Sequence, residues 1–208
     1  LYSYKEGCEI VGIEVFGQAV NTLQERFLDM DWTMYDYEHN GVTEKKYHWP
    51  AKENEDVAVV VHKSNGVQEE FHRHEFFFFN YTYKCYYDSL SQAYNNRITL
   101  QEGELYAGQP LAGHALFAHD NHDTIIIGLL IKKEAFYRHF LPLLPTNAEL
   151  FHFFTNPKTK KFSDEFLHFK PEAVCELRSI LEMMVNEYAA NRSDTQTVLR
   201  ALAICYLS

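Results

Sequence analysis

None of the apolar runs in these 208 residues is long enough to span a bilayer; the longest, residues 124–131, has the length of a strand. No basic-then-apolar leader stands at the start. Cysteine is sparse, and Cys8, Cys85, Cys175 and Cys205 lie far apart with no paired spacing. That argues against a zinc knuckle or a disulfide framework and suits reduced thiols in a cytoplasm. Positive charge is short too, with 19 Lys and Arg against 29 Asp and Glu and a net charge of −10. Duplex DNA is a polyanion whose readers carry a basic face, so this chain alone is not expected to read it. There is no Ser/His/Asp order, no CxxC pair, no P-loop and no dinucleotide fingerprint.

Apolar and aromatic residues are plentiful, at 46% and 15% of the chain, enough for one folded domain with a helical appendage. Residues 18–30 carry Ala19, Leu23, Phe27 and Met30 near helical spacing and predict a short amphipathic helix. Residues 29–37 read as a strand, and Asn40-Gly41 as a turn. The cluster Tyr47-His48-Trp49-Pro50 is read as a packed strand end in preference to a ligand contact. Short apolar runs at 57–61, 98–100, 105–109, 114–118 and 124–131, with turn signals between them, predict an all-β barrel or sandwich. Residues 89–96 read as a polar turn, and His119-Asp-Asn-His122-Asp123 as a turn in preference to a metal site. From Lys132 the pattern becomes helical: residues 133–140, a helix capped by Asn147, a basic loop at 156–161, and a long helix over 172–190 opened by Pro171. A last helix begins at Ser193/Asp194. The chain opens on Leu1 and stops inside that helix, so it is expected to be part of a longer protein.

The middle of the chain is organised around residues 66–114. Gly66-Val-Gln-Glu-Glu-Phe-His72-Arg-His74 leads into Glu75-Phe-Phe-Phe-Phe-Asn80-Tyr-Thr-Tyr83. In strand register His72, His74, Phe76, Phe78, Asn80 and Thr82 share one face. Both faces carry large apolar groups, which predicts a strand covered on both sides. About thirty residues later come Gly103-Glu-Leu-Tyr106, Pro110 and His114.

Gly-x5-His-x-His followed by Gly-x6-Pro-x3-His resembles the two motifs of the cupin barrel, in the form found in the amino-terminal sensor domain of AraC-type transcription regulators. That family's first motif reads His-x-His-Asp-Phe-Phe-Glu; here it is His72-Arg-His74-Glu75-Phe76-Phe77-Phe78, with Phe78 where glutamate is usual. The similarity runs on through residues 125–136 and more loosely to the carboxyl terminus. It implies a mainly β fold with C-terminal helices: a cupin-like double-stranded β-helix (jelly-roll barrel) at 56–131, an amino-terminal arm or helix with strands at 1–55, and an α-helical linker and dimerisation segment at 132–208. It further implies a cytoplasmic, non-catalytic homodimer that binds a small-molecule effector and touches DNA only through a helix-turn-helix domain outside this chain. A sugar is one candidate effector, but no residue selects it.

The expected ligand contacts are Phe76, Phe78 and Tyr106 for surface, and His72, His74, Asn80 and His114 for donors and acceptors. On the long helix Val174, Leu177, Leu181, Met184 and Tyr188 alternate spacings of three and four, the stripe of a two-helix seam, and the resemblance makes that seam a dimer contact. No cofactor is required by this reading. The competing reading is a small metal-dependent cupin isomerase or dioxygenase holding a divalent ion on His72, His74 and His114. Phe78 weighs against it, because a phenyl ring stands in the position of the usual carboxylate.

Overall fold

Five consecutive apolar residues, Val57 to Val61, cannot alternate between core and solvent, so the strand holding them must be covered on both faces. In the computed structural model, which describes residues 2–39, 41–64, 66, 68–91, 95–119, 123–144, 151, 153–154, 166–172 and 174–208, all five are buried. In chain order the elements are α1 (Tyr2–Asp29), β1 (Met34–His39), β2 (Val42–Tyr47), β3 (Val57–Ser64), β4 (Arg73–His74), β5 (Phe77–Lys84), β6 (Tyr86–Ser91), β7 (Asn96–Gln101), β8 (Leu105–Gly108), β9 (His114–Phe117) and β10 (Thr124–Ile131). The short helix α2 (Lys133–Ala135), β11 (Phe166–Phe169), α3 (Val174–Ala190) and α4 (Thr195–Leu207) follow.

The main sheet has the order β11-β8-β5-β10-β3, all antiparallel. Opposite it lie β7-β6-β9 and a small sheet, β1-β2-β4. The result is a jelly-roll barrel with carboxyl-terminal helices, the expected fold class. Inward-facing Val60, His62, Asn80, Ile126, Gly128 and Leu130 line a cavity between the layers. Outward-facing Phe77 and Phe79 pack on Phe154, and Phe77 also lies 4.1 Å from Phe136, centroid to centroid. α1, α3 and α4 pack against β3.

Several expectations are corrected. The amino-terminal helix reaches back from Asp29 to Tyr2. Residues 72–83 are not one strand: β4 pairs in parallel with β2, and the chain turns at Glu75-Phe76 before β5 joins the main sheet. Ser89 and Ser91 belong to β6, and both are buried. Within 132–208, β11 pairs with β8, and Phe166 stacks on Tyr106 at 4.9 Å. That segment is therefore not wholly helical. The helix reading at 147–154 is described only at 151, 153 and 154, and the basic loop at 156–161 lies outside the described residues.

The proposed seam is corrected as well. Leu181 and Met184 are 0% exposed and Tyr188 1%, so they are core of the same chain and cannot face a second one. α1 covers α3, and Arg26 donates from Nη1 to the Tyr188 carbonyl at 2.6 Å while its guanidinium lies over the Tyr188 ring. A stripe at helical spacing says that a helix has an apolar face, not whose surface covers it. Val174 and Leu177 are half-buried.

β3 ends the main sheet, and α4 closes the start of its free edge. Gln196 Oε1 accepts from the amides of Asp56 and Val57 at 2.9 and 3.1 Å, and its Nε2 donates to the Val57 carbonyl at 2.9 Å. An unpaired strand edge is open to pairing with another chain, so one glutamine both anchors the last helix and blunts that edge. Gln196→Ala strands buried backbone groups and should lower unfolding free energy by about 1–3 kcal/mol, measured by urea denaturation.

Candidate functional site

Two main-chain hydrogen bonds bring the first two histidines together. His72 N–H donates to the His114 carbonyl and His114 N–H to the His72 carbonyl, both at 3.0 Å. Residues paired in this antiparallel way project side chains to the same face, and His74, two residues on, returns to it. β4 is held by Arg73, which is buried and forms a two-pronged ion pair with Glu44 of β2 and a 2.6 Å hydrogen bond to the Leu111 carbonyl. The Leu111 amide in turn donates to the His74 carbonyl at 2.6 Å.

The three rings have centroids 4.6–4.9 Å apart and one nitrogen of each lies within 4.8 Å of the others. All three are buried. Burial holds them neutral, driving His72 down to about 4 and His74 and His114 well below the usual imidazole range, with neighbouring imidazoles adding to the effect for the last two. His72 Nδ1 donates to the Glu70 carbonyl at 2.7 Å, which leaves its Nε2 with a free lone pair. Nδ1 of His74 and of His114 is buried with no hydrogen-bond partner.

These rings form part of the wall of a cavity of about 390 Å³, a volume in the range of small-molecule sites. Aromatic and apolar side chains make most of the remaining wall: Phe27 from the end of α1, Trp32, Met34, Tyr47, Leu116 and the inner face of the main sheet. Tyr47 meets His72 edge to face at 4.9 Å, and Trp32 meets Tyr47 at 5.7 Å and 87°. Glu69, Glu70 and His62 complete the polar lining. The Leu116 amide donates to Glu69 Oε2 at 3.2 Å, yet burial outweighs this bond and pushes the Glu69 carboxyl up to about 7. Burial likewise lowers His62.

Of the seven residues expected to contact a ligand, His72, His74, Asn80 and His114 line the cavity, whereas Phe76, Phe78 and Tyr106 do not. They stand behind the imidazoles. Phe76 stacks on His74 at 4.5 Å, Phe78 stacks on His114 at 4.3 Å, and Tyr106 stacks on Phe78 at 5.9 Å. The alternation that placed them on the histidine face is right, but the turn at Glu75-Phe76 and the barrel's curvature put them in a second layer. Tyr47, read as a packed strand end, does line the cavity. Phe27, Trp32, His62 and Glu69 were missed. His62 had a signal, a histidine in phase with Val60 at the end of an apolar strand; Phe27 and Trp32 had none, because they approach from α1 and the segment after it. His119 bonds to Asp88 at 2.8 Å, and residues 120–122 lie outside the described residues.

Three neutral imidazoles, each with one nitrogen within 4.8 Å of the others, fit the nitrogen donor set of a Zn²⁺-type ion. Phe78, stacked on His114, offers no carboxylate to select a harder metal, and among the described residues the cluster holds histidine alone.

No protein-family model and no curated protein matches this sequence. Solved structures do. Apo ToxT K231A from Vibrio cholerae strain SCE256 superposes with a TM-score of 0.55 at 13% identity, covering 75% of this chain and 56% of that one. ToxT from Vibrio cholerae O395 gives 0.48 at 10% identity over 73% and 52%. A cupin-2 domain containing protein from Shewanella frigidimarina gives 0.33 at 17% over 52% and 90%. The first match establishes a shared fold; the other two superpose too loosely to carry weight. The chain spans little more than half the length of the ToxT chain it matches.

Two outcomes test this geometry. Gly108 pairs with Phe78 across the sheet, and a Cβ there would lie inside the Phe78 ring that supports His114. Gly108→Ala should destabilise the fold by about 1–3 kcal/mol in chemical denaturation. The folded state holds a proton on Glu69 that the unfolded chain releases near pH 4.5. Its contribution to stability is therefore full below that value and is lost as pH rises through about 7. The stability difference between wild type and Glu69→Gln should decline over this interval and then level off, read from denaturation midpoints at stepped pH.

Proposed function

We propose that this chain is the effector-sensing domain of an AraC-type transcription regulator: non-catalytic, cytoplasmic, dimeric, and acting on DNA through a helix-turn-helix domain outside these residues. The observation that carries the reading is the cavity, aromatic-walled and edged by neutral histidines, inside a fold shared with ToxT, itself an AraC-type regulator. The motif resemblance supports it independently. Among the described residues no helix is long and apolar enough to cross a membrane.

The packing supplies a route from ligand to output. Phe27 faces the cavity, and its neighbour Arg26 grips the Tyr188 and Ala189 carbonyls of α3. Trp32 also lines the cavity and donates from Nε1 to the Phe27 carbonyl at 2.7 Å. A ligand preferring one placement of α1 thereby favours one placement of α3 and of whatever follows α4.

The second reading, a metal-dependent cupin enzyme, is favoured by the nitrogen cluster. A Zn²⁺-type ion on His72, His74 and His114 would supply Lewis acidity at its open position, while the aromatic walls would exclude water and orient a substrate.

Elemental analysis and a metabolite thermal-shift screen separate the two. For a sensor, no stoichiometric transition metal is expected, and an effector at a hundredfold excess over its Kd should raise Tm by about 5 °C or more, a shift abolished in His114→Ala. A stoichiometric metal lost on His72→Ala or His114→Ala would transfer the assignment to the enzyme.

A further inference from the structure

We propose that the effector is an organic cation, a protonated amine on an apolar or aromatic body; this rests on the sensing role argued above. The formal charges lining the cavity are all of one sign. Glu69 and Glu70 contribute carboxylates, and among the described lining residues there is no lysine or arginine. Arg73, beside the histidines in sequence, is committed to Glu44 and the Leu111 carbonyl. An anionic ligand would meet two carboxylates, half-buried Glu69 and exposed Glu70, with no lysine or arginine in the described lining to offset the repulsion. A neutral ligand would leave Glu69 with only the Leu116 amide as a donor among the described residues. An ammonium group answers that carboxylate directly.

The aromatic geometry points the same way. Trp32 and Tyr47 stand at 87° with centroids 5.7 Å apart, and Phe27 is 4.9 Å from Trp32. Phe27, Trp32 and Tyr47 all line the cavity, and aromatic ring faces attract a positive group. Burial raises the Tyr47 phenol and the nearby Glu69 and Glu70 carboxylates add to it, so the acidic and aromatic parts of the wall are contiguous. Next to Tyr47 stand His72 and His74, with ring centroids at 4.9 and 5.7 Å, and together with His114 they line the same cavity. As neutral imidazoles they can accept N–H donors, which an amine has and a carboxylate or ether lacks.

Phenethylamine, phenethyl alcohol and phenylpropionate share a body and differ in head group, and titrating each into the purified protein at pH 8 by calorimetry tests the charge preference. The amine should bind about tenfold or more tightly than the alcohol, and the acid more weakly still. Glu69→Gln should erase the preference for amine over alcohol while keeping alcohol binding. Trp32→Leu should weaken amine binding more than alcohol binding. Absence of amine binding, equal or tighter binding of the alcohol or acid, or a preference that survives Glu69→Gln would overturn the inference. The sensing role fails by a different result: none of the three head groups, and no compound in the wider thermal-shift screen, binds the cavity.

Discussion

Two hydrogen bonds between the main chains of His72 and His114 join segments that are 42 positions apart in the sequence, and the cavity is organised about that junction. Because antiparallel pairing sends both side chains to one face, a backbone constraint becomes a chemical one: polar rings are forced into the barrel interior and made to share it. Their burial is what keeps them neutral. Arg73 secures the junction from outside, tying β4 to Glu44 on β2 and to the loop before β9, so the third imidazole is fixed by an ion pair that never enters the cavity.

Behind the imidazoles stands a layer of aromatic rings. Phe76 and Phe78 stack on His74 and His114, and Gly108 leaves room for the Phe78 ring to lie across β8. Where related motifs place a carboxylate, this chain places a hydrophobic support. A phenyl ring offers no metal ligand, and here it stacks on His114. The acidic character of the cavity comes instead from Glu69 and Glu70, which precede the histidines and lie near Tyr47 of the aromatic corner. A sensing role and a metal-binding role draw on the same histidines, and the two differ in whether the open side of the cluster meets an ion or a ligand.

α1 connects this interior to the carboxyl-terminal helices. Arg26 and Phe27 are adjacent residues on one helix, so by helical geometry they point in different directions, one into α3 and one into the cavity. One helix therefore touches both the cavity and α3.

The sequence by itself determined an all-β barrel or sandwich of short strands and put Asn80 in phase with the histidines, because strand alternation is local; the jelly-roll class and the histidine triad followed from the resemblance of its motifs to the cupin barrel. It also determined that the long helix has an apolar face at Leu181, Met184 and Tyr188. Tertiary structure alone decided what covers that face, and it turned an expected dimer seam into core beneath α1. It decided, too, that Phe27, Trp32 and Tyr47 reach the cavity while Phe76, Phe78 and Tyr106 stand one layer behind it, and that residues 166–169 add a strand to the barrel. Periodicity records that a side chain must be buried; only the packing of distant segments fixes against what.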